Sequence, residues 1–62
     1  MKDFVKELAV EIRQTLTGER PEIVELRSKS ILLSMVILME KKNILSLEKC
    51  VEISKEIDEL YK

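Results

Sequence analysis

The stretch ILLSMVILM, Ile31 to Met39, lies inside a longer run, Glu22 to Lys42, that contains no glycine and no proline. Ser34 is its only polar residue. A helix through such a segment is apolar on every side and has to be covered on every side. A membrane span needs about 20 apolar residues, so nine specify a buried helix core instead. In a chain of 62 residues this is a severe demand. One neighbouring helix covers roughly one face. The other faces require a further helix, a second copy of the chain, or a different protein.

The rest of the composition narrows how such a chain is supported. Folding a chain of this length buries only about 60% of the surface that its unfolded form exposes. Short folds are therefore commonly reinforced by disulfides, a structural metal or a partner. Cys50 is the only cysteine and there is no histidine, which excludes an internal disulfide and an ordinary Cys/His zinc site. A partner is the support that remains. With 45% hydrophobic and 37% charged residues, the chain has the make-up of a helical bundle or coiled coil and is too apolar for intrinsic disorder. Eleven basic and twelve acidic side chains give a net charge of -1 without a long Lys/Arg cluster, which argues against nucleic-acid binding. The opening MKDFVKEL has charges in every short apolar run and provides no signal-peptide core. Together with the single free thiol, this leads to an expectation of a reduced, cytoplasmic setting.

Periodicity and punctuation divide residues 1–62, read as a single helical domain, into three helices at about 2–16, 21–42 and 47–61. In the first, Phe4, Leu8, Ile12 and Leu16 recur every four residues, with Val5 and Ala9 beside them. Thr17 and Gly18 end it, because glycine readily takes the left-handed conformation that closes a helix. Pro21 suits the first position of the next helix, and Glu22 the positive end of its dipole. On this helix Ile23, Leu26, Ser30, Leu33 and Ile37 form one stripe; Val24, Ile31, Met35 and Leu38 form a neighbouring one. Glu22, Glu25, Arg27, Ser28 and Lys29 are expected to form its solvated side. Lys41 and Lys42 sit at the negative end of the dipole, Asn43 closes the helix, and Ser46 caps the next, with Leu45 and Cys50 in the positions of a hydrophobic staple. The third helix carries Leu47, Cys50, Ser54, Ile57 and Tyr61, widened by Val51, Ile53 and Leu60. The short loop before it implies an antiparallel hairpin. The expected fold is all-α: a small antiparallel helical hairpin with an additional N-terminal helix, assembled as an oligomer.

Few side chains suggest chemistry. Ser54 is a polar member of the third helix's seam, and Asp58 follows one turn later. The pair either faces a partner, where Asp58 orients a water or accepts a hydrogen bond, or is a tolerated serine beside a solvated aspartate. Cys50 lies on the apolar face with no basic cluster around it and reads as buried and inert. Met35 and Met39 fill a core or adapt a groove. Glu48, Glu52, Glu56 and Glu59 give the last helix an acidic, solvated side. Arg27 and Lys29 are either partner contacts or solubilising charges. The chain lacks a P-loop, a dinucleotide-binding glycine signature, an EF-hand and an HExxH motif, so no cofactor and no metal are expected.

The stretch VEISKEIDEL, Val51 to Leu60, resembles the signature of the short aspartyl-phosphate phosphatases of spore-forming bacteria, the sporulation stage-zero E type. That signature reads serine-glutamine-glutamate-leucine-aspartate after an apolar pair. Ser54, Glu56 and Asp58 match it, Ile57 replaces the leucine conservatively, and Lys55 departs from the glutamine. The preceding KKNILSLEKC resembles the family's turn into that helix. The similarity covers about a third of the chain and leaves the first helix unexplained. It implies a two-helix hairpin that binds a phosphorylated response regulator in sporulation control. Asp58 would orient the water that hydrolyses the aspartyl phosphate, in a pocket whose acidic residues and metal the regulator supplies.

Two functional expectations therefore stand. The first is a protein–protein interaction module, a regulator, co-chaperone or assembly subunit, acting as a homodimer or on another protein through Leu33, Met35, Ile37 and Leu38. The alternative is the phosphatase, with Asp58 catalytic and Ser54 in support.

Overall fold

The computed structural model describes residues 2–62. Three helices, α1 (Lys2–Thr15), α2 (Pro21–Lys41) and α3 (Leu47–Leu60), pack pairwise against one another as an all-α three-helix bundle. The molecule measures 35 × 20 × 15 Å, and its long dimension is close to the roughly 31 Å that 21 helical residues span.

Local chemistry accounts for where the helices stop and start. At the end of α1 the amides of Leu16 and Thr17 donate to the carbonyls of Arg13 and Gln14, tightening the last turn. The Thr15 and Thr17 hydroxyls donate to the carbonyls of Ile12 and Gln14 at 2.7 and 2.6 Å. Gly18 then takes φ +104°, a conformation that a Cβ would strain although there is open space around it. Pro21 occupies the first turn of α2, and the Arg20 carbonyl receives the amides of Ile23 and Val24. At the other end of α2, Asn43 has φ +60°. Its amide donates to Glu40 O at 3.0 Å and that of Ile44 to Met39 O at 2.9 Å. These are the 5→2 and 6→1 bonds of a Schellman closure, with asparagine in the position glycine usually holds. Ser46 caps α3, its hydroxyl accepting from the Lys49 amide at 3.2 Å.

The core is formed by Val5 and Ala9 of α1, Leu32 and Val36 of α2, and Cys50, Ile53 and Ile57 of α3. Leu8, Ile12, Leu33, Leu45, Leu60 and Tyr61 pack around its edge. The observed burial differs from the expected one at four places. Neither expected stripe of α2 is the one buried: the core row is Ser28, Leu32 and Val36, a third set on the same helix. Ser28, expected on the solvated side, is completely buried. The reason is that the second half of α2 is apolar all round, so its periodicity cannot select a face. The positions of α1 and α3 select it. In α1 the buried row is likewise Val5 and Ala9, and Phe4, expected at the head of the stripe, is half exposed. Glu56, expected on the solvated side of α3, is partly buried, with Oε2 covered and without a hydrogen-bond partner among the described residues.

Buried Ser28 is satisfied from across the bundle. Its hydroxyl shares a hydrogen bond with the Tyr61 hydroxyl at the end of α3. The Tyr61 ring in turn lies 4.5 Å beneath the Arg13 guanidinium of α1. Arg13 Nη2 donates to Glu25 Oε2 of α2 at 2.8 Å. This hydrogen bond raises the Arg13 pKa above its already high ordinary value; partial burial opposes the shift and the Tyr61 side chain adds to it. All three helices are thus joined by one polar chain at the end of the bundle where α3 finishes.

Candidate functional site

The side of the α2/α3 pair that flanks the core is a shallow apolar groove. Val36, Ile37 and Glu40 form one wall, and Leu47, Cys50, Val51, Ser54, Lys55 and Asp58 form the other. Ile37, Leu47 and Val51 are each about half exposed or more. Their exposure follows from the register of the core: with Leu32 and Val36 turned inward, Ile37 lies some 100–140° away around the helix and points out. On α3 the same geometry, with Ile53 and Ile57 inward, leaves Leu47, Val51 and Asp58 on the outer flank. Leu26 and Leu38 are also exposed on α2, at 68% and 55%.

The four residues expected to bind a partner are divided by the fold. Ile37 and Leu38 are exposed. Leu33 is half-buried against the core edge. Met35 is half-buried and lines a different space, an apolar pocket between the three helices. Leu26, Leu47 and Val51, which the periodicity assigned to apolar stripes but not to a contact surface, are at least as exposed as Ile37 or nearly so. Sequence spacing placed them on apolar rows, and only the direction in which each row faces marks them as surface.

Ser54 and Asp58 do lie together in the groove, one turn apart on α3. Ser54 is half-buried and the Asp58 side chain is 62% exposed. Lys29 Nζ of α2 stands 3.4 Å from Asp58 Oδ1 and is the cation nearest to that carboxylate among the described ion pairs. Two other exposed pairs are Lys2–Glu59 at 3.9 Å, between α1 and α3, and Arg27–Glu19 at 3.6 Å, between α2 and the linker that precedes it. Pairs this exposed are each worth about 0–1 kcal/mol, so the Lys29–Asp58 contact orients the carboxylate more than it stabilises the fold. An exposed carboxylate on a rigid helix, flanked by apolar side chains, can accept a hydrogen bond from a docked molecule or hold a water against it. Lys55, where the resembled signature has glutamine, lines the same groove.

Cys50 is buried, and its thiol points at the Val36 carbonyl, with Sγ 3.8 Å from the oxygen. Among the described residues no group of His, Cys, Asp and Glu side chains is placed to hold a metal ion. No helix among them is long and apolar enough to cross a membrane.

A second space lies inside the bundle. It has a volume of about 170 Å³ and is bounded by Phe4, Val5 and Leu8 of α1, Leu32, Met35, Val36 and Met39 of α2, Leu45 of the loop, and Ile53 and Ile57 of α3. Every one of these side chains is apolar. The space is open on one side, where Phe4, Leu8, Met35, Met39 and Leu45 reach solvent.

Comparison with known proteins finds no family model, no curated protein and no solved structure that matches the chain. What fold and site together establish is a small all-helical domain with a partly apolar outer face, of the kind suited to protein–protein interaction.

Proposed function

We propose that the chain is a protein–protein interaction module that presents the outer face of α2 and its groove with α3 to another protein or to a second copy of itself, as a regulator, co-chaperone or assembly subunit. One observation carries this reading: Leu26, Ile37, Leu38, Leu47 and Val51 remain exposed although α1 and α3 already cover the core row of α2. Of these, Ile37, Leu47 and Val51 line one groove, and exposed large apolar side chains gathered in this way mark interaction sites. In the same reading α2 and α3 are an antiparallel hairpin. The pairing of Ser28 with Tyr61, Lys29 with Asp58, and Val36 with Cys50 supports it, since positions rise along α2 as they fall along α3. A reduced, cytoplasmic setting suits a module whose one cysteine is a free thiol.

The test is the molar mass of the chain across a concentration series, under reducing conditions, for the wild type and for Ile37→Ser combined with Val51→Ser. Both positions are surface sites, so the double variant is expected to remain folded by circular dichroism. A wild-type dimer that becomes a monomer in the variant supports docking through this face. An association that survives both substitutions unchanged refutes it.

The phosphatase is the second reading, favoured by the placement of Ser54 and Asp58 on this groove with the carboxylate exposed. Docked on a phosphorylated response regulator, Asp58 would orient a water for attack at phosphorus. The bond between phosphorus and the bridging carboxyl oxygen of the regulator's aspartate would break, releasing inorganic phosphate and a free carboxylate. Asp58→Asn decides between the two roles of the groove. In the phosphatase it abolishes phosphate release while binding to the regulator persists; in a module that only docks, binding and regulator lifetime are both unchanged.

A further inference from the structure

We infer that the interior space between the three helices is a binding site for a small uncharged apolar molecule, of the size of a single aromatic ring or a short branched hydrocarbon. The inference stands on the cavity and is independent of the groove and of the function proposed for it. Its volume, about 170 Å³, is enough for one ring, since an enclosed apolar cavity of about 150 Å³ takes up benzene or xenon; here the space also has an open side through which a ligand can enter. A bound water needs two to four polar partners, and the side chains bounding this space offer no such group. A fatty acid or another anion is unsuited, because no lysine or arginine borders the space.

The surroundings have a floor and a mouth. Val5, Leu32, Val36, Ile53 and Ile57 are buried and close the inner side. Phe4, Leu8, Met35, Met39 and Leu45 border the same space but also reach solvent, so the opening lies among them. Methionine suits such an opening: it is unbranched, rotates freely and makes favourable contacts with aromatic edges. All three helices contribute walls, so an occupant touches α1, α2 and α3 at once and fastens α1, which gives the buried core only Val5 and Ala9, to the other two.

The experiment uses the full chain with benzene as the probe, read by methyl NMR and by thermal unfolding. Because a ligand that binds only the folded state stabilises it by mass action, benzene at roughly 100-fold excess over its Kd is expected to raise the unfolding midpoint by about 10–20 °C. The methyl resonances of Leu32, Ile53 and Ile57 should move together with a single saturable Kd. Leu32→Phe, which projects a ring into the space, is expected to weaken benzene binding at least tenfold while remaining folded. If that variant does not fold, the wild-type titration alone decides, repeated with xenon as a second probe. Saturable shifts at the three floor residues support the site. No response to either probe, or shifts confined to surface methyls such as those of Leu26 and Ile37, overturns it.

Discussion

Removing the Tyr61 hydroxyl tests the physical account of the bundle most sharply. Ser28 is wholly buried, and its hydroxyl has the Tyr61 hydroxyl as its side-chain partner. Tyr61→Phe keeps the ring under Arg13 and removes only that partner. A buried polar group left unsatisfied costs about 1–3 kcal/mol. Ser28 can recover part of this by turning to the carbonyl four residues back on α2, so we expect a loss of about 1–2 kcal/mol. Ser28→Ala is expected to be the milder change, at about 0.5–1 kcal/mol, because Tyr61 as a residue is only partly buried, at the end of the bundle, and its hydroxyl has a route to water that completely buried Ser28 lacks. The double variant should resemble Ser28→Ala alone, since no hydroxyl is then left buried without a partner. For a chain of this size each kcal/mol moves the unfolding midpoint by about 4–8 °C, so Tyr61→Phe should lower it by about 4–16 °C. Urea and thermal unfolding followed by circular dichroism on the four proteins close the cycle. If Tyr61→Phe is neutral, or Ser28→Ala is the more damaging of the two, the asymmetry argument is wrong.

Three further expectations concern the joints of the fold. Ser46→Ala removes the cap of α3 and should cost about 1 kcal/mol, seen as a lower urea midpoint with an unchanged slope. Gly18→Ala meets no neighbouring atom, yet should destabilise by about 1 kcal/mol because alanine resists φ +104°; an unchanged midpoint would mean the turn relaxes to a negative φ. Arg13→Met removes both the Glu25 pair and the contact with Tyr61, for a combined cost of about 1 kcal/mol that shrinks in high salt only by the share of the partly exposed pair.

Much of the architecture is written locally. Gly18, Pro21, Asn43 and Ser46 each act through their own backbone or nearest amides, and these local preferences set the helix ends whatever the helices pack against. The four-residue spacing of Ser54 and Asp58 also guarantees that they share a helix face, so their common place on one groove follows from the chain alone. The demand that α2 be covered on several sides is equally a property of its composition.

Which side of α2 is covered by which helix was decided only in three dimensions. A uniformly apolar segment has no preferred direction, and its rotation is fixed by the best joint packing with α1 and α3. That rotation turned Leu32 and Val36 inward, left Ile37 and Leu38 outside, and set Met35 on the wall of an interior space. It also carried Ser28 into the core, which is stable there because Tyr61, thirty-three residues away, arrives with a hydroxyl. Contacts of that range depend on where two helices meet, and no local pattern of residues encodes them.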